Sequence, residues 1–229
     1  MEQRSRGFTL IELAIVLVIV GLLLGGLFKG EELIRGARVR NLIAQEEEIR
    51  TAFFGFVDRY HALPGDDATA DSTISCGLAP CLDGDGNGRI EAPNASGLHE
   101  DILIWSHLSA AGFLNDRYTM ADAGVSMASD ANSPRSPYGV HLQLSLDTDW
   151  GAPGNTANRL NLKSGGQIPA DVLAEIDGKV DDGRPYSGSF QFSPYAPGSL
   201  TAPVAANCVE SGAWSVAGAE ANCGAATLF

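Results

Sequence analysis

From Phe8 to Phe28 the chain reads FTLIELAIVLVIVGLLLGGLF, 21 positions that hold a single charge, Glu12. At about 1.5 Å per helical residue, a helix of this length matches the hydrocarbon core of a bilayer, about 30 Å thick. A cleavable secretory signal has an apolar region of only about 7 to 15 residues. The run therefore predicts a membrane-spanning helix. The residues before it, MEQRSRG, carry Arg4 and Arg6 against Glu2, whereas the chain as a whole has a formal charge of −13. The positive-inside rule then places the N-terminal residues in the cytoplasm and the bulk of the chain outside it.

With 229 residues there is room for one ordinary core plus this appendage. A composition of 45% hydrophobic and 19% charged residues suits a folded protein and excludes a polar disordered chain. An isoelectric point near 4.6 means the surface as a whole repels phosphate backbones, so nucleic acid is not an expected partner.

Four cysteines fall in two local sets, Cys76 with Cys81 and Cys208 with Cys223, in a part of the chain that the topology puts in a disulfide-permissive compartment. Three connectivities are open, and the preference for short loops favours Cys76–Cys81 and Cys208–Cys223. A zinc site is the alternative, but neither pair is CxxC and no histidine is close in sequence.

A lone glutamate inside an apolar span is costly, and such groups are usually paired or functional, although one near the interface can reach water. Its setting, Arg6-Gly7-Phe8-Thr9-Leu10-Ile11-Glu12-Leu13, resembles the processing site of type IV pilins and type II secretion pseudopilins: a basic leader, Gly, Phe, and Glu five residues in. The resemblance implies that a prepilin peptidase cuts between Gly7 and Phe8 and methylates the new N-terminal Phe8. It also implies that Glu12 of one subunit neutralises the α-amino group of Phe8 on a neighbour during assembly. Many major pilins carry a proline near the end of the apolar run, where this chain has Lys29. Gly21, Gly25, Gly26 and Gly30 supply weak helix points instead.

After Lys29, residues Leu42, Ile43, Ile49, Phe53, Phe56, Val57 and Tyr60 recur mostly at three- and four-residue steps, the pattern of an amphipathic helix. It is expected to end at Tyr60 or His61, before Leu63-Pro64-Gly65-Asp66. Arg35, Arg38, Arg40, Glu46, Glu47 and Glu48 are expected on its exposed face. Beyond it the sequence predicts a helix at Asp101–Ala111, with Trp105 in the core and His107 at the surface, and a half-buried strand at Tyr138–Leu146 with Arg159–Lys163 as its neighbour. A helix after Pro169 and strands at Ser189–Phe192, Trp214–Val216 and Ala225–Phe229 follow. The order resembles a pilin: an α+β fold in which a long N-terminal helix packs against an antiparallel sheet. The expected organisation is a leader at 1–7, a transmembrane and assembly helix at 8–28, an amphipathic helix at 29–61 and an extracytoplasmic head at 62–229.

In the head, Asp83-Gly84-Asp85-Gly86-Asn87-Gly88 has the DxDxNG start of a calcium loop, in which alternate side chains supply oxygens. Asp83, Asp85, Asn87 and Glu91 are the candidate ligands. The twelfth position is Asn94 where a bidentate Glu is expected, so Glu100 or Asp101 would have to close the shell. A second acidic stretch, Asp177 to Gly183, reads as a helix end and turn. Asn94-Ala95-Ser96 matches a glycosylation sequon, a short and weak motif. The four histidines have no metal spacing, and no nucleophile elbow or phosphate loop is present, so no catalytic residue is assigned.

These features favour a structural subunit over an enzyme. Its expected partners are the prepilin peptidase, other pilin or pseudopilin subunits and, before assembly, the bacterial inner membrane. It would be a pilin-like subunit of a type IV pilus, with features that tilt toward a minor one, and a secretion pseudopilin is the nearest alternative. From another class, the head would be a membrane-anchored, calcium-dependent adhesin.

Overall fold

A computed structural model describes residues 9–77, 81–119, 124–217 and 220–229. Helix α1 runs from Leu10 to Tyr60 without a break. By contacts the chain divides into two units, one ending at Arg38 and one spanning Val39–Phe229. In the first unit α1 includes an 18-residue stretch of mean hydropathy 2.8, none of it buried, long and apolar enough to cross a membrane. Gly21, Gly25, Gly26 and Gly30 are all helical, and the space where each would carry a side chain is open.

The second unit is α+β and pilin-like. Helices α2 (Ala70–Thr73) and α3 (Glu100–Ala110) precede strands β1 (Gln143–Asp147) and β2 (Arg159–Ile168); α4 (Ala170–Val180) and β3 (Phe190–Phe192) come next. Helix α5 (Ala205–Cys208) and strands β4 (Val209–Glu210), β5 (Ala213–Trp214) and β6 (Cys223–Leu228) complete it. The main sheet has the order β1-β2-β6-β3, antiparallel throughout, and β4 pairs with β5 in a separate ribbon. The strand expected at Tyr138–Leu146 starts only at Gln143; residues before it make a single bridge, Arg135 to His141. Its neighbour β2 extends to Ile168 by means of bulges, at one of which Gly165 takes φ +77. A Cβ there would lie 2.2 Å from Val140 Cγ1, so both the conformation and the space require glycine.

Among the described residues, the two larger of three apolar clusters tie α1 to the rest of the unit. Val39, Leu42, Ile49, Phe53 and Phe56 line one face of α1 at helical spacing. Ile49, Phe53 and Phe56 join Ile104, Trp105 and Leu108 of α3 and Leu144 and Leu162 of the sheet. Val39 and Leu42 join Leu173 and Ile176 of α4 and Phe190, Trp214 and Ala225. Residues 39–60 of α1 thus pack with the head that the sequence reading begins at residue 62. Side-chain alternation sends Leu144 and Leu162 into the first cluster, and it sends Gln143, Ser145, Asp147, Asn161 and Lys163 to the other face.

Three expectations change. Glu46, expected on the solvated face with its neighbours, is buried; Thr227 Oγ1 donates to its Oε2 at 2.9 Å, and its Oε1 has no hydrogen-bond partner among the described residues. Burial raises its pKa to about 7, against the opposing pull of the Thr227 bond. His107, expected at the surface, is fully buried, because one ring nitrogen accepts from Gly65 N at 3.0 Å and the other meets Leu82 O at 2.8 Å. Asn94 is buried, its amide donating to Glu100 and its oxygen accepting from two backbone N–H groups, so the sequon does not present a free side chain.

Candidate functional site

The N-terminal site is built on the first turn of α1. Thr9 N and Thr9 Oγ1 both donate to Glu12 Oε2 at 2.8 Å, and Glu12 N donates to Thr9 Oγ1 at 3.3 Å. This reciprocal arrangement is a capping box: Thr9 and Glu12 satisfy one another's first-turn groups. Within one chain Glu12 therefore closes its own helix end while its neighbours Leu13, Ile15 and Val16 stay exposed. Gly7 and Phe8, the expected cleavage and methylation positions, lie outside the described residues.

The acidic loop is organised from its glycines. Gly65 has φ +91, and a Cβ there would lie 2.6 Å from Glu100 O. At Gly84 a Cβ would meet the Asp66 backbone at 2.4 Å. Only glycine lets the 65–67 and 83–88 segments and the start of α3 approach this closely. Gly84 N then donates to Asp67 O, and Gly86 N to Asp66 O.

This packing brings together Asp66, Asp85 and Glu100, one carboxylate oxygen of each lying within 4.8 Å of the others. Asp66 accepts from the N–H groups of Asn87 and Gly88 at 3.0 and 2.8 Å. Glu100 accepts from Asp85 N, Glu91 N and Asn94 Nδ2. Burial raises the pKa of both Asp66 and Glu100; the N–H donors pull the other way, and neighbouring Asp85 adds to the rise. Three hard oxygen donors in such proximity are the kind of set that a calcium ion takes.

Of the four sequence candidates, Asp85 joins this set. Asp83 instead accepts from Asp71 N at 2.8 Å. Asn87 Nδ2 donates to Asp85 and Glu91, and Arg89 pairs with Glu91 at 3.0 Å. Glu100, considered as a possible closing ligand, is a member; Asp101 points elsewhere and accepts from Gln143 Nε2 at 2.8 Å. Asp66 was missed because it lies 19 residues before Asp85, outside any contiguous loop pattern. The Leu63-Pro64-Gly65-Asp66 helix stop was its only local signal.

The second acidic stretch acts as a turn. Asp177 accepts from Gly183 N at 3.1 Å and from Trp214 Nε1 at 2.7 Å; Asp181 accepts from Ser189 N and Phe190 N. These bonds tie the end of α4 to β3 and β5. Both expected disulfides are present, Cys76–Cys81 and Cys208–Cys223.

Residues 3–28 match the family model of the prokaryotic N-terminal methylation motif, the signature of type IV pilins and pseudopilins. No curated protein and no solved structure matches the chain. The motif and the α+β, pilin-like architecture together point to a pilin-like or pseudopilin-like structural subunit.

Proposed function

We propose that the chain is a minor pilin-like subunit of a type IV pilus, made as a prepilin with a leader at 1–7. A prepilin peptidase cuts at Gly7/Phe8 and methylates Phe8. The helix 8–28 holds the subunit in the inner membrane and then packs among other subunits; residues 29–61 carry it into the extracytoplasmic head at 62–229. The observation that carries this reading is the methylation motif at 3–28, continuous with an apolar helix that the rest of the chain leaves exposed.

In assembly, Glu12 exchanges its bond to Thr9 N for the α-amino group of Phe8 on a neighbour. In a low-dielectric setting an unpaired carboxylate is costly, so the pairing selects the axial register of adjacent helices. The function is assembly and not turnover. Calcium at Asp66, Asp85 and Glu100 would tie the 83–91 loop to the start of α3.

Mass spectrometry of sheared filaments and of the cell envelope tests the reading. Chains beginning at methylated Phe8 in the filament fraction support it. Processed chains confined to the envelope favour a pseudopilin, and chains beginning at Met1 in both fractions refute processing and leave a membrane-anchored binding protein.

A further inference from the structure

The sheet face turned away from α1 carries a buried polar group that the assembly reading does not use. Lys163 of β2 is fully buried. Its Nζ donates to Gln143 Oε1 and Ser145 Oγ, each at 2.9 Å, and contacts Asp147 Oδ2 directly. The Tyr195 ring lies 5.5 Å from the same nitrogen.

The Asp147 carboxyl is held at both oxygens. Oδ1 accepts from Asn161 Nδ2 and from Asp149 N, both at 3.0 Å. Oδ2 accepts from Ser145 Oγ at 2.5 Å. Gln143 continues the network, its Nε2 donating to Asp101 Oδ2 at 2.8 Å. At rest Lys163 and Asp147 form an ion pair: burial works to raise the Asp147 pKa, but the Lys163 ammonium with the Ser145 and Asn161 bonds outweighs it.

We propose that Lys163 and Asp147 are the site of an intramolecular isopeptide bond that links β2 to the edge strand β1. Three features of the geometry serve this condensation. Amine and carboxyl are in contact, which replaces a bimolecular encounter by an intramolecular one. The two N–H donors on Oδ1 face the oxygen on which negative charge develops when the amine attacks, as in an oxyanion hole. Ser145 Oγ lies within hydrogen-bond reach of both the attacking nitrogen and Oδ2.

Reaction starts from the minor neutral form of the pair, reached when Nζ passes one proton to Oδ2, which leaves a neutral amine and a neutral acid. Nζ then forms a bond to Asp147 Cγ, and Oδ1 becomes the oxyanion. Ser145 takes a proton from Nζ and passes one to Oδ2, whose bond to Cγ breaks. One water leaves, Oδ1 becomes the amide carbonyl oxygen, and the starting charges of +1 and −1 are consumed. No oxidant or co-reactant is required.

The test is the mass of the full-length chain, extracted in detergent, fully reduced and denatured. The expected wild-type mass is one water below that of its own amino-acid sequence. Trypsin should then fail to cut after Lys163 and yield a branched peptide joining Ser136–Arg159 to Leu160–Lys179. Lys163→Arg and Asp147→Ala should each restore the full mass, and Asn161→Ala, which keeps both reacting groups, should slow the bond's appearance at least tenfold. A wild-type chain at full mass, cut normally after Lys163, overturns the proposal whether or not the variants fold. Loss of water without the branched peptide also overturns it.

Discussion

Two stretches of the same helix meet opposite fates. Between Leu10 and Ile34 the large apolar side chains are exposed, Leu22 at 73%; from Val39 onward a stripe ending in Phe56, at 0%, is covered by α3, α4 and the sheet. Backbone conformation is the same in both. What differs is where the apolar partner comes from: the head supplies its own, whereas residues 10–34 leave theirs to a bilayer or to other helices. An apolar stretch left exposed over this length is the kind of surface that meets a bilayer or other molecules, whereas the stripe from Val39 onward contributes to the stability of the single molecule.

The strongest way to break this division is at the proposed processing site. Gly7→Val is expected to abolish cleavage entirely, leaving chains that begin at Met1, while the melting of the head stays as in wild type; N-terminal mass spectrometry and calorimetry read the two halves separately. Next, Trp105→Ala, in the core beneath α1, is expected to cost about 3–5 kcal/mol in chemical denaturation, whereas Leu17→Ala in the exposed run should stay within about 0.5 kcal/mol. An equal effect of the two would erase the contrast.

Removing the Cys208–Cys223 bridge by a double Ser substitution should cost about 3 kcal/mol, and removing Cys76–Cys81 about 2 kcal/mol, because the loop is longer in the first case, 15 residues of separation against 5. Denaturant midpoints of the two variants, compared at equal slope, give the order.

Glu46 sharpens the comparison from within the head. Its pKa, raised from 4.5 to about 7, means that the folded chain holds this proton more tightly than the unfolded chain. Its contribution to stability is therefore lost as pH rises from 4.5 through about 7, and levels off above. Glu46→Gln should remove that slope and leave the variant more stable at pH 8 by up to about 3 kcal/mol. Parallel pH profiles for the variant and wild type would show that the carboxyl does not titrate in this range.

The smallest expected effect is that of calcium. At tenfold excess over its Kd it should stabilise the chain by about 1.4 kcal/mol, with Asp66→Ala and Asp85→Ala abolishing the shift. An unchanged melting curve at millimolar calcium removes the ion from the proposed function.

Sequence periodicity and composition alone were enough to read the apolar run, the amphipathic stripe of α1, the helices at α3 and α4, and the presence of a sheet, because each depends on residues near one another in the chain. The DxDxNG pattern located Asp85 for the same reason. Local pattern does not reveal which side of an element the rest of the chain will cover. Glu46 and His107 look solvated in sequence, yet they are buried by β6 and by the Gly65 and Leu82 backbone. Asp66 reaches Asp85 and Glu100 because two glycines admit close backbone contact, and Lys163 meets Asp147 through the register of β1 and β2. Burial and proximity between distant residues are properties of packing, and tertiary structure decides them.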